Sequence, residues 1–278
     1  MTVPETACNT PAALEDTIRR LGDACALLQT VYSSAKPFHT TLRLGSDALL
    51  AVAHGSPDRA MLLQEDLQRA DRFPSAKRRL QFLLGRAAAN RAVASLTGSS
   101  AESVGRGPQG EPLWPAGLTG SISHSGATAV SIVMRREGWS VGIDIEAIEE
   151  TKSSELVNYV LDPRERLALA NACGSDDRAF FLGFSLKEAV LKSLLPRLRQ
   201  PAEFKRILLL RVRPAAPVGI DCDWSLDDWS GFAFGIDTGD VSCAVAVAEV
   251  TGGSHASSSG TSEVRVTGTT THRVHHQA

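Results

Sequence analysis

Asp144 and Glu146 stand two residues apart in Val141–Glu146 (Val-Gly-Ile-Asp-Ile-Glu). In an extended segment successive side chains alternate faces, so Val141, Ile143 and Ile145 enter a core while both carboxylates project from the other side. Two carboxylates side by side repel each other unless a cation lies between them. Further along, Phe184–Lys192 (Phe-Ser-Leu-Lys-Glu-Ala-Val-Leu-Lys) adds Glu188, flanked by Lys187 and Lys192. Three hard oxygen ligands with lysines beside them describe a site that holds a divalent cation against phosphates. Taken singly, each piece has a plainer reading. The strand carboxylates fit a solvated face, and Glu188 with Lys192 fits an exposed i,i+4 helix pair worth a few tenths of a kcal/mol.

Two other constellations are less persuasive. Gly105–Gly110 (Gly-Arg-Gly-Pro-Gln-Gly) matches the spacing of a dinucleotide fingerprint, but that motif needs a helix opening within it, and Pro108 and Pro112 deny one. A turn-rich loop that lines a ligand is the sounder reading. Ser121–Ser125 (Ser-Ile-Ser-His-Ser) places Ser123 beside His124, yet neighbours on a strand face opposite ways and make a poor nucleophile–base pair. Hydrogen bonding or ion pairing of His124 to a phosphate is its better use.

The elements that position these residues recur along the chain. Residues 81–96 align without gaps to residues 179–194, with Phe, Leu, Gly and a closing Ser-Leu at matching places. Both segments have helical apolar spacing, with Ser75 as candidate N-cap of the first and Ser175 or Asp176 of the second. Gly98 ends the first helix and Pro196 the second. Strand-like runs follow each helix, Gly120–Ser125 and Thr128–Met134 in one case, Gly231–Ile236 and Val241–Ala248 in the other. Leu42–Ala53 and Trp139–Glu146 would be the opening strands of the two halves. The expected fold class is α+β, a pseudo-twofold duplication of two similar α/β halves with a cleft between them. Residues 1–138 form the first half, 139–250 the second, and the Ser/Thr/Gly-rich 251–278 a disordered tail.

The chain has 278 residues, 43% hydrophobic and 22% charged, with a formal net charge of −2. There is no global basic field for nucleic acid or an anionic membrane, so clusters such as Lys77–Arg79 are judged as local sites. No apolar run is long enough to cross a bilayer, and the first residues lack a signal-peptide pattern. Five scattered cysteines without Cys-x-x-Cys suit reduced cytoplasmic thiols better than a disulfide framework or a zinc site.

An ordered set of motifs then carries a resemblance. Gly110-Glu-Pro112 with Trp114-Pro115, Gly120–His124, Val141–Glu146 and Phe184–Lys192 together resemble the Sfp-type 4′-phosphopantetheinyl transferases. Lys77–Arg86, with Arg78 and Phe82 at matching places, looks most like the subgroup serving enterobactin-type siderophore synthetases and actinobacterial carrier proteins. The resemblance spans roughly Lys77 to Leu194 and implies a duplicated fold with the site between halves. It implies transfer of 4′-phosphopantetheine from coenzyme A to a serine of an apo acyl, peptidyl or aryl carrier protein, releasing 3′,5′-ADP. Asp144, Glu146 and Glu188 would hold Mg²⁺, with Mn²⁺ as an alternative, on the coenzyme A pyrophosphate. Glu188 would also accept the serine proton, and Lys187 and Lys192 would stabilise the leaving phosphate. Ser123, His124, Arg78 and Arg86 would grip the 3′-phosphate or neighbouring oxygens. Gln109, Gly110, Glu111 and Pro112 would border the adenine.

Two departures stand out. Many relatives carry lysine where Gln109 stands, so Arg106 could supply the missing phosphate contact, and others carry Trp at Phe184. The loop Leu194–Arg199 could equally be a platform for an acidic carrier or a structural loop. A monomer without nucleic-acid or membrane partners is expected. The alternatives are a metal-dependent phosphohydrolase or nucleotidyl transferase on the same carboxylates, and a non-catalytic carrier-binding scaffold.

Overall fold

The computed structural model describes residues 10–100, 102–108, 111–135, 137–148, 154–195, 198, 202–215 and 219–250. Two short helices, α1 (Ala12–Arg19) and α2 (Cys25–Tyr32), are joined by a 3-10 turn. The hairpin β1 (Phe38–Arg43) and β2 (Ala48–His54) follows, then α3 (Gln64–Ala70) and the long α4 (Ala76–Thr97). A small hairpin, β3 (Gly105–Arg106) and β4 (Pro112–Leu113), leads to β5 (Thr119–Ser125), β6 (Thr128–Met134) and β7 (Trp139–Ala147). Three helices come next, α5 (Ser154–Val160), α6 (Pro163–Cys173) and α7 (Asp176–Leu194). The described chain closes with β8 (Leu208–Ala215), β9 (Gly219–Leu226), β10 (Trp229–Asp237) and β11 (Val241–Glu249). The expected single strand Leu42–Ala53 is instead two strands, because Gly45-Ser-Asp47 turns the chain between them.

All strand pairings are antiparallel and fall into two main sheets, ordered β1-β2-β6-β5 and β7-β11-β10-β9-β8. The duplication is explicit in that order. β2, α4, β5 and β6 of the first unit correspond to β7, α7, β10 and β11 of the second, with β6 and β11 as matching middle strands. The two long helices are capped alike. Ser75 Oγ accepts from Arg78 N, and Ser175 Oγ accepts from Arg178 N. Gly98 ends α4 at φ 75°, a left-handed conformation suited to glycine. Pro196, the expected stop of α7, lies outside the described residues; the helix ends at Leu194.

Strand alternation builds three cores. On one face Leu50 and Val52, Val130 and Ile132, Val141, Ile143 and Ile145, and Val241 to Val247 at alternate positions pack together with α1 and α2. That core spans both sheets. The opposite face of the first sheet carries Ala51, Ala53, Ala129 and Val133 against α4. Its counterpart on the second sheet carries Ala244, Ala246 and Ala248 against α7. Small residues on the helix-facing side allow close approach of helix to sheet. At Gly142 the approach is extreme, since a Cβ there would lie 1.9 Å from Ala189 O and 2.5 Å from Ser193 N. Glycine at this point therefore brings the backbone of α7 against β7, next to Asp144.

Among the described residues no helix is long and apolar enough to cross a membrane. The tail from residue 251 onward, with its histidines, lies outside the described residues.

Candidate active site at the seam of the two sheets

β5 ends the first sheet and β7 begins the second, and no backbone ladder joins them. Serine side chains bridge the seam instead. Ile145 N donates to Ser123 Oγ at 3.4 Å, and Ala147 N donates to Ser125 Oγ at 3.0 Å. Edge amides that would otherwise be unpaired are thereby satisfied by hydroxyls.

Asp144 is at the centre of this seam and is buried. Lys192 Nζ, from α7, lies 2.5 Å from its Oδ1, and Ser123 Oγ donates to that same oxygen at 2.8 Å. Lys192 Nζ also donates to Ser123 Oγ at 3.0 Å. Asp144 Oδ2, equally buried, has no hydrogen-bond partner. A buried carboxylate oxygen left without a donor is the place a hard cation would take. Glu146 follows on the same face of β7, half-buried. Glu188 comes from α7, one turn before Lys192. Burial raises its carboxyl above the ordinary glutamate range, Lys192 opposes the shift, and Asp144 adds to it. Among the described residues no group of three or more His, Cys, Asp or Glu side chains is placed to hold a metal ion. Asp144, Glu146 and Glu188 nevertheless offer only oxygen donors, and Asp144 Oδ2 is buried and unpartnered, which is the chemistry a divalent cation takes.

The other wall is basic. Alternation along β5 turns His124 away from Ser123, toward α4. There Arg78 Nη1 lies 3.2 Å from His124 Nε2. Burial holds the imidazole below its usual range, with Arg78 and Lys192 adding to the effect, so Nε2 accepts from the guanidinium. Between α4, β5 and the β3–β4 hairpin lies a cavity of about 340 Å³ lined by Arg78, Phe82, Arg86, Arg106, Pro112 and His124. A second cavity of about 350 Å³ shares Phe82, Arg86 and Arg106 and adds Arg69 and Arg72. Arg106 lies over the Phe82 ring, 5.8 Å from guanidinium carbon to centroid, with Glu111 and Asp66 as neighbouring carboxylates and Arg69 and Arg86 as neighbouring cations.

The structure corrects three expectations. Lys187 is not in the cleft. Its ammonium is fully buried on another side of α7, 2.6 Å from Glu165 Oε2, 2.9 Å from Val160 O and 3.2 Å from Phe204 O. Consecutive helix residues diverge by about 100°, so Lys187 cannot follow Glu188 to the seam. Arg86 lines both cavities, but its guanidinium is bound to Asp66 at 2.7 Å, to Gly105 O at 3.1 Å and to Val104 O. It anchors α3 and the loop before β3. Ser123 directs its hydroxyl to Asp144 and not into the cavity.

The remaining expected residues are mixed. Pro112 borders the first cavity, while the Glu111 carboxylate folds against Gly107, where an added Cβ would meet its Oε1 at 1.9 Å. Gln109 and Gly110 lie outside the described residues, as do Pro196, Arg197 and Arg199 of the candidate platform. Phe184 stacks on Phe204 with centroids 5.3 Å apart, a packing role.

The repeat also shows where chemistry is missing. Asn90 holds in α4 the place that Glu188 holds in α7. Its amide nitrogen donates to Met61 O at 2.8 Å, and its oxygen accepts from Val104 N at 2.9 Å. Glu165, overlooked in the sequence, is the hub around Lys187. It accepts from Asp162 N and Leu209 N, each at 2.8 Å, as well as from the ammonium. The Asp162-Pro-Arg-Glu165 capping box was its legible signal.

Comparison with known proteins gives a consistent family. The family model for the 4′-phosphopantetheinyl transferase N-terminal domain matches residues 68–134, and that for the 4′-phosphopantetheinyl transferase superfamily matches residues 140–246. Enterobactin synthase component D of Salmonella typhimurium (strain LT2) is 37% identical over 134 residues, 47% of this chain and 55% of the relative. The 4′-phosphopantetheinyl transferase Npt of Nocardia iowensis is 34% identical over 122 residues, 43% of this chain and 53% of the relative. PptT of Mycobacterium tuberculosis, also a 4′-phosphopantetheinyl transferase, is 34% identical over 126 residues, 44% and 53% respectively. The chain thus spans about half the length of the curated relatives it matches.

Proposed function

Because the chain belongs to the 4′-phosphopantetheinyl transferase superfamily, we propose that it transfers 4′-phosphopantetheine from coenzyme A to a serine of an apo acyl, peptidyl or aryl carrier protein. The observation that carries this reading is the two-sided seam. An acid wall on β7 and α7, with Asp144 Oδ2 unpartnered, faces a basic wall on α4 and β5. A ligand with a pyrophosphate at one end and a phosphate monoester at the other matches both walls.

Asp144, Glu146 and Glu188 would hold Mg²⁺, or Mn²⁺ in its place; bound there, the cation neutralises the pyrophosphate oxygens. Arg78 donates to the phosphate monoester, and His124 joins it by taking up a proton as the dianion arrives. Phe82 and Pro112 offer apolar surface to the adenine. The carrier serine Oγ attacks the phosphorus bearing the pantetheine chain. A P–Oγ bond forms as the bond to the bridging oxygen breaks, and that oxygen leaves with 3′,5′-ADP. Glu188, its carboxyl already raised by burial, accepts the serine proton. Lys192, held beside Asp144, turns its remaining N–H to the departing phosphate.

Enterobactin-type siderophore synthetases are a fitting class of partner on the strength of the relatives' names. A monomer is sufficient, since both walls come from one chain. The described thiols, Cys25, Cys173, Cys222 and Cys243, are free, which supports a reducing compartment such as the cytoplasm.

Mass spectrometry of an apo carrier protein incubated with coenzyme A, Mg²⁺ and the chain tests the reading. A phosphopantetheine mass gain lost in Glu188→Ala is the expected result. Carriers left unmodified while coenzyme A is hydrolysed would replace it with a phosphohydrolase.

A further inference from the structure

We infer that Ser123 is a positioning residue that aims Asp144 at the cation, and not a contact to the substrate phosphate. This rests on the proposed function only for the identity of the cation's purpose.

The hydrogen count decides the matter. A serine hydroxyl has one proton to donate and two lone pairs to accept with. In the seam Ser123 gives its proton to Asp144 Oδ1 at 2.8 Å and accepts from Lys192 Nζ at 3.0 Å and from Ile145 N at 3.4 Å. All three capacities are engaged, and no donor remains for a phosphate. The side chain is also buried, on the strand face opposite to His124. The consequence falls on Asp144. With Ser123 and Lys192 both on Oδ1, the carboxylate is fixed about its last torsion and presents Oδ2, its unpartnered oxygen, in one direction. Partners that orient a ligating carboxylate in this way are typically worth 10–100-fold in metal affinity. Ser123 additionally accepts the β7 edge amide next to Asp144, so the strand carrying the ligand and the side chain orienting it are fixed by one oxygen.

The test uses the full chain with Mn²⁺ as probe, titrated by electron paramagnetic resonance of the free ion. Coenzyme A binding is measured separately by calorimetry in chelator. Ser123→Ala is expected to weaken Mn²⁺ binding roughly tenfold and to leave metal-free coenzyme A affinity within about twofold. Ser123→Thr, which restores the hydroxyl, should recover Mn²⁺ affinity. Should Ser123→Ala not fold, as judged by circular dichroism, Ser123→Cys offers a near-isosteric side chain with a weaker donor and the same expected loss. Unchanged Mn²⁺ affinity in Ser123→Ala, or in Ser123→Cys where that variant stands in for it, overturns the inference. So does a loss of coenzyme A affinity in chelator with Mn²⁺ binding intact, which would return Ser123 to the phosphate. Weakened Mn²⁺ binding in a chain that binds no coenzyme A supports the inference and overturns only the transferase reading.

Discussion

Lys192 Nζ lies 2.5 Å from Asp144 Oδ1, which makes the lysine the counter-charge of the buried carboxylate. Removing one partner of a buried pair leaves the other charge uncompensated. Lys192→Ala is therefore expected to lower stability by about 2 kcal/mol, less than for a wholly buried pair because Lys192 keeps some exposure. Millimolar Mg²⁺ should return part of that loss, since a cation at Oδ2 supplies the missing charge. Thermal unfolding with and without Mg²⁺ measures both effects, and a variant indifferent to Mg²⁺ would count against a cation at Asp144.

Glu188 is expected to give the site a pH dependence. Burial and Asp144 raise its carboxyl, so at a given pH more of it is protonated than an exposed glutamate would be. Only the ionised form binds a cation or accepts a proton. Mg²⁺ affinity and transfer rate should both rise with pH through a range above the ordinary glutamate value and then level off. Glu188→Gln should remove this limb from the cation titration and lower kcat by about 10²–10⁴. A limb that persists in Glu188→Gln would assign it to another group.

Lys187 and Glu165 form the second buried pair, and here the expected effect is on stability alone. Lys187→Met leaves Glu165 buried without its ammonium and should cost about 3–5 kcal/mol. The double variant with Glu165→Gln should recover much of the loss. Transfer rate per folded molecule should stay near that of the parent, as measured on chain whose folded fraction is known. A large kcat loss in the well-folded double variant would put Lys187 back in the chemistry.

Arg106 is expected to supply a phosphate contact. It lines both basic cavities and lies over Phe82, close to the other guanidinium groups Arg69 and Arg86. Arg106→Ala should weaken coenzyme A binding roughly tenfold, the value of one charged hydrogen bond. Binding of dephospho-coenzyme A, which lacks the 3′-phosphate, should change little. Equal losses for both ligands by calorimetry would refute a role specific to that phosphate.

Much of this was legible in the sequence where periodicity and capping decide structure. The Val-Gly-Ile-Asp-Ile-Glu alternation placed Ile143 and Ile145 in the core and Asp144 opposite, and the repeated caps at Ser75 and Ser175 marked two equivalent helices. The split between Ser123 and His124 followed from strand alternation alone. Lys187 stands beside Glu188 in sequence but pairs with Glu165 away from the seam. In the helix it lies four residues after Gly183 and three before Val190, on the apolar stripe facing α6, and that spacing was available. Other features were not visible in one dimension. The partners Asp66 of Arg86 and Ser123 of Asp144 lie far off in the chain, and only the fold shows which donors are already occupied.

The asymmetry of the repeat also fixes a stoichiometry. In α4 the counterpart of Glu188 is Asn90, fastened to Met61 and Val104, and the helix-facing positions of β2 are Ala51 and Ala53. The first unit thus has the framework of an acid wall without its carboxylates, while the second has Asp144, Glu146 and Glu188. On the proposed function, two copies of one framework would give a single site, so the chain should saturate at one coenzyme per polypeptide. Each unit has given up what the other supplies, and neither alone should retain activity.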